Sequence, residues 1–112
     1  MVSWTVYLHP EADLELGKLP AGERVAILNV TEKLKEIGPQ LGYPHSSDVR
    51  GATNLRELRP RQGRSPWRAF YRRIGTVFVV AAVGPEAEVN PKGFKRAVKV
   101  AEQRLDEVEE DR

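Results

Sequence analysis

Residues 55–83 read LRELRPRQGRSPWRAFYRRIGTVFVVAAV, and this stretch decides the fold. Residues 55–59 and 67–72 are short extended segments. Between them lies a connection of proline, glycine and arginine at residues 61–66. Gly75 and Thr76 then turn the chain into VFVVAAV at residues 77–83. A continuous apolar run of this length suits a central strand buried on both faces. The short connections predict antiparallel pairing of the three strands. Pro60 places the end of the first at an edge or a turn.

The flanks supply the other elements. At residues 3–8, Trp4, Val6 and Leu8 alternate with Ser3, Thr5 and Tyr7, which predicts a strand ended by His9-Pro10. Residues 11–19 read as a short helix with acids in its first turn. A second helix is predicted over residues 20–37, where Ile27, Val30, Leu34 and Ile37 form one apolar stripe before Gly38-Pro39. Residues 40–53 hold Gly42, Pro44, Ser46, Ser47, Asp48 and Gly51, and are expected to form a loop across one end of the sheet. A second loop is expected at residues 84–89. Asn90 and Pro91 then start a helix whose stripe is Phe94, Ala97, Val98, Ala101, Leu105 and Val108. The predicted order is β-α-α-β-β-β-α: an α+β domain spanning residues 1–112, with a small, mostly antiparallel sheet packed by helices.

Composition removes several classes of chemistry. The chain has no cysteine, so disulfides, thiol catalysis and thiolate metal sites are excluded. Its two histidines, His9 and His45, lie far apart, and neither a metal nor a cofactor is expected. No apolar segment is long enough for a membrane-spanning helix, and the N-terminus lacks a signal-peptide pattern, so a cytoplasmic location is expected.

Charge is unevenly spread. Residues 50–73 hold eight arginines and one acid, Glu57, a net of +7 in a chain whose total is only +2. Arginine's planar fork fits phosphate oxygens, so an RNA or DNA backbone is a natural partner; a plain solvated basic face would leave the same signature. Alternation places Arg68, Phe70 and Arg72 on one face of their strand and Trp67, Ala69 and Tyr71 on the other. Glu57 shares a face with Leu55 and Arg59, where it can orient a neighbouring arginine or simply brace the sheet. Trp67 and Tyr71 are either core residues or stacking platforms for bases. The last helix begins basic, with Lys92, Lys95, Arg96 and Lys99, and ends acidic, against its macrodipole.

RNA carries its own nucleophile, the 2′-hydroxyl. A surface that cuts it needs a proton acceptor and cations for the charged phosphorane. Arg59, Arg68 and Arg72 are candidates for the electrostatic part. Tyr71, Glu57 and His45 are candidates for proton transfer. Binding without cleavage would use the same arginines.

On Leu55-Arg56-Glu57-Leu58-Arg59, Trp67-Arg68-Ala69-Phe70-Tyr71 and the apolar strand after them, the sequence resembles the HigB-like, phage-Gp49-like toxins of the RelE/ParE superfamily. The resemblance implies a RelE/ParE-like fold and the toxin role of a type II toxin–antitoxin module. It implies a ribosome-associated endoribonuclease that cleaves mRNA and is neutralised by a cognate antitoxin, commonly a helix-turn-helix DNA-binding protein. It assigns Arg59, Arg68 and Tyr71 to the active surface, and Glu57 stands beside them. From charge, Arg56, Arg61, Arg64, Arg72, Arg73, Lys92, Lys95 and Arg96 are expected to contact RNA, with Trp67 stacking among them. Charge also implies an acidic contact segment in the antitoxin. Such toxins usually have a lysine-rich loop after the apolar strand; here Glu86 and Glu88 occupy that region. A non-catalytic toxin-like protein and a ParE-type gyrase inhibitor are the alternative readings.

Overall fold

A computed structural model describes residues 3–111. In chain order the elements are β1 (Thr5–Leu8), α1 (Pro10–Gly17), α2 (Ala21–Ile37), β2 (Ser46–Asp48), β3 (Arg56–Leu58), β4 (Trp67–Ile74), β5 (Val77–Pro85) and α3 (Pro91–Glu110). Short 3-10 turns at Gly38–Gln40 and Pro60–Gly63 join them. The sheet order is β1-β5-β4-β3-β2, with β1 parallel to β5 and every other pair antiparallel. The α+β class and the mostly antiparallel sheet are as the sequence predicts. One element is not: Ser46–Asp48, expected within a loop, is an edge strand paired with β3. Its three polar residues carry no apolar alternation, so nothing local marks it. Its partner's backbone and the buried Ser46 hydroxyl, bonded to Tyr71, hold it in place.

The apolar run becomes β5 and is buried on both faces along almost its whole length. On one side, Leu16 of α1 and Ile27, Val30 and Leu34 of α2 pack on Leu58, Ala69, Tyr71, Phe78 and Val80. On the other, Ala101 and Leu105 of α3 pack on Phe70, Ile74, Val79 and Ala82. The register skips one residue between β4 and β5: Phe70 lies opposite Ala82 and Tyr71 opposite Val80, so Ala81 is the extra residue of a bulge. β1 ends opposite Val80, which leaves the next part of β5 without a neighbouring strand. Side chains close that edge. Glu15 accepts the Val83 N–H at 3.0 Å, and Arg104 donates to the Ala81 carbonyl at 2.8 Å while gripping Glu15 with both terminal nitrogens. The backbone groups that a strand would have satisfied are thereby paired.

Three further contacts position the functional region. α3 approaches β5 so closely at Gly84 that an added Cβ would lie 2.5 Å from the Ala97 Cβ. Arg72, expected on an RNA-binding surface, is instead buried: it donates to the Asn54 carbonyl and pairs with Asp106 and Glu109 on the acidic half of α3. The β3–β4 connection is pinned to the start of α2, where Glu23 accepts from Arg61 (2.7 Å) and from the Ser65 hydroxyl (2.7 Å). The Ser65 hydrogen bond first, and Arg61 second, hold the Glu23 carboxyl below the usual carboxylate range. No helix among the described residues is long and apolar enough to cross a membrane.

Gly84→Ala should lower the unfolding free energy by about 1–3 kcal/mol, because α3 must lift to admit the methyl group; chemical denaturation measures it. Glu23 contributes stability above its unfolded pKa, near 4.3, that is lost as pH falls through its lower folded value. Glu23→Gln should therefore be less stable than the parent at neutral pH, with the gap closing below about pH 4; denaturant melts across pH test the sign.

Candidate functional site

β3 and β4 bring together a carboxylate and two guanidiniums on the α3 side of the sheet. Glu57 lies opposite Phe70 in the register, so its side chain shares the α3-facing side. Its Oε1 accepts from Arg59 Nη1 (3.3 Å) and Ser47 Oγ (3.3 Å), and lies 3.7 Å from Arg68 Nε. Arg68 is only 3% exposed. Its terminal nitrogens donate to the carbonyls of Ser65, Trp67 and Gly63, which fix the guanidinium beneath the hairpin. Glu86 approaches it from the following loop at 3.9 Å. Burial pulls the Arg68 pKa below its ordinary value; Glu57 opposes that pull and Arg59 adds to it. Arg68 Nε is a buried donor with no hydrogen-bond partner. A buried N–H left open beside a carboxylate is a place where an anionic oxygen gains a strong hydrogen bond.

Glu57 forms part of the wall of a cleft of about 380 Å³, together with Ser47, Asp48, Arg50 and Phe94. That cleft shares Arg50, Ala87 and Phe94 with a longer groove of about 630 Å³ along the first half of α3. Lys95, Arg96 and Lys99 supply its charge, and Pro91, Phe94 and Val98 its apolar surface. The basic start of α3 thus faces the same groove as Glu57. A carboxylate set between guanidiniums at one end of a cationic groove can accept a proton while the cations stabilise negative charge on phosphorus.

The structure sorts the predicted residues into different places. Glu57, Arg59 and Arg68 come together, and Lys95 and Arg96 line the adjoining groove; Lys92 is exposed but outside that lining. Tyr71 is a correction. Its ring is 2% exposed in the core on the α2 side, edge-on to Phe78, and its hydroxyl meets Ser46 (2.5 Å) and Arg56 (3.3 Å). It stands across the sheet from Glu57 and Arg68, and three residues along a strand reverses the face. Trp67 is half-buried against the same α2-side core. Arg56 pairs with Asp48, Arg61 with Glu23, and Arg73 lies over the Trp4 ring. Arg64 is exposed. The basic window is therefore not one uniform face. Sequence reasoning missed Ser47, Arg50 and Glu86. Glu86 had a signal, an acid where toxins of this kind carry lysines, but no spacing rule aims it at Arg68.

Comparison with known proteins places this geometry in context. The family described as "Phage derived protein Gp49-like (DUF891)" matches residues 14–106. No curated protein matches the sequence. Among solved structures, the chain is similar to a free-state mutant of the E. coli toxin RelE, with a TM-score of 0.63 and 22% identity over 88% of this chain and 97% of that one. It is similar to a chain of the Mycobacterium tuberculosis RelBE2 toxin–antitoxin complex, with a TM-score of 0.59 and 21% identity over 76% of this chain and 100% of that one. A third similar structure is mutant E. coli RelE in complex with a peptide of the antitoxin RelB, with a TM-score of 0.56 and 21% identity over 81% and 94%. At these identities the likeness is one of fold: the chain has the RelE-like fold.

Tyr71→Phe should cost about 1–2 kcal/mol of stability, because Ser46 and Arg56 lose a shared buried partner. It should leave the groove beside Glu57 unaltered. Denaturant melts, together with binding of a short uncleavable oligoribonucleotide, separate the two effects.

Proposed function

The chain belongs to the phage-derived Gp49-like family, and from that premise we propose that it is the toxin of a type II toxin–antitoxin module, an endoribonuclease that cleaves ribosome-bound mRNA. The observation that carries the reading is the Glu57 carboxylate held between Arg59 and Arg68 at one end of a cation-lined groove. The fold shared with RelE toxins supports it.

Glu57 accepts the proton of the 2′-hydroxyl. The freed oxygen attacks the adjacent phosphorus, the bond to the 5′ oxygen breaks, and that oxygen takes a proton from solvent in the groove. The products are a 2′,3′-cyclic phosphate and a 5′-hydroxyl end. Arg68 offers its open Nε–H to the phosphorane, and Arg59 adds a second cation. Because the nucleophile belongs to the substrate, the protein's task is positioning, proton acceptance and charge stabilisation. Arg50, Lys95, Arg96 and Lys99 hold the phosphates of the strand along the groove.

The partner that silences this surface is a cognate antitoxin, of helix-turn-helix type, with an acidic contact segment that also presents apolar side chains. Phe94 and Val98 among the lysines and arginines of the groove suit such a segment, and occupying it excludes RNA. Two of the similar structures described above are of toxin–antitoxin complexes. The site of action is the cytoplasm, where mRNA and ribosomes meet.

Induced expression should arrest growth and create new mRNA 5′ ends. Glu57→Gln and Arg68→Ala should each lower cleavage by about 10²–10⁴-fold, while Tyr71→Phe retains it. Arrest without new 5′ ends, or full cleavage by both site variants, would overturn this assignment.

A further inference from the structure

A second groove lies across the sheet from Glu57, between α2 and the β3–β4 connection. It encloses about 260 Å³. Lys33 of α2, His45 before β2 and Arg64 of the connection all line it, and none of the three pairs with a carboxylate among the described residues. Gln62 lines it as well. Arg61 and Gln62 both adopt left-handed backbone conformations, with φ of 54° and 59°, which costs energy in residues other than glycine. The clamp of Glu23 on Arg61 and Ser65 holds this conformation.

Arg59 joins the two sides. It lines this groove, yet its Nη1 reaches Glu57. Its Nε donates to the Pro44 carbonyl, and its guanidinium lies 5.0 Å over the Tyr43 ring. Tyr43 is 77% exposed, so its outer face is open to a planar partner. A chain leaving the Glu57 site past Arg59 meets an aromatic face and then three cations without acidic partners.

We propose that this groove is a second RNA subsite: it holds the phosphodiester backbone beyond the scissile phosphate, with Tyr43 stacking a base of the same strand. The proposal rests on the reading of the Glu57 site as one that receives RNA. Single-stranded nucleic acid needs cations for the backbone and aromatic faces for bases. An acidic protein helix would instead need a long apolar trough.

The test uses the whole chain and a short fluorescent 2′-O-methyl oligoribonucleotide, which cannot be cleaved. Reversing two charges in Lys33→Glu/Arg64→Glu should weaken binding at least about tenfold and reduce the slope of log affinity against log salt by about 1. Tyr43→Ala should weaken it about tenfold with the slope unchanged. Lys18→Glu/Lys35→Glu changes the net charge equally at residues outside the groove and should have a smaller effect. The neutral pair Lys33→Gln/Arg64→Gln repeats the test should charge reversal disturb folding. Equal losses in the two charge-reversal pairs, unchanged affinity in the groove variants, or no binding by the parent protein would overturn the subsite. If the parent binds but does not cleave RNA, and the groove variants lose binding, the nuclease reading fails and the subsite stands. If the parent cleaves and the groove variants bind like it, only the subsite fails.

Discussion

A guanidinium can be buried only where its donors find partners, because an unmatched buried charge costs more than most single contacts return. This fold buries two, and much of its architecture follows from satisfying them. Arg68 is met by three carbonyls of the β3–β4 connection, so the turn and the strand it leads into are fixed as a unit. Arg72 is met by Asn54 and by two acids on α3, so the far half of that helix is tied to the sheet. The candidate site lies where the first of these arrangements is incomplete: Arg68 Nε stays open beside Glu57. The same chemistry that holds the hairpin together supplies the donor that a phosphate oxygen would take.

The sheet and helices were legible because their signals are local and repetitive. VFVVAAV announces β5, and the stripe from Phe94 to Val108 announces α3. β2 was illegible because its pairing is supplied by β3 and by one serine hydroxyl. The bulge at Ala81 was equally hidden, since a run of valine and alanine reads the same with or without an extra residue. For the site, parity along β4 contained more information than residue type. Arg68 and Tyr71 are an odd number of positions apart and therefore face opposite ways, whatever a shared motif suggests. Their separation was present in the alternation; which face lies under α2 required the tertiary structure.

Charge patterning shows the same division between what is local and what is not. The arginine window looks like a single surface in the sequence, yet Arg56, Arg61 and Arg72 are each engaged by an acid from a distant segment. The unfavourable order of charges along α3 also acquires a reason. Its acidic half supplies partners for Arg72, and its basic half lines the groove that continues from Glu57. The modest helix-dipole penalty is offset by two tertiary arrangements that the helix alone does not reveal.

The contact between Gly84 and Ala97 separates two properties that are usually entangled. The spacing of α3 from β5 is set by backbone against a methyl group, not by the long side chains on the helix's outer face. Lys95, Arg96 and Lys99 can therefore be exchanged without moving the walls of the groove they line. Substitutions there would alter which polymer or peptide is accepted at little cost to folding. In a lineage where a toxin and its inhibitor must change in step, that leaves recognition free to drift while the scaffold stays constant.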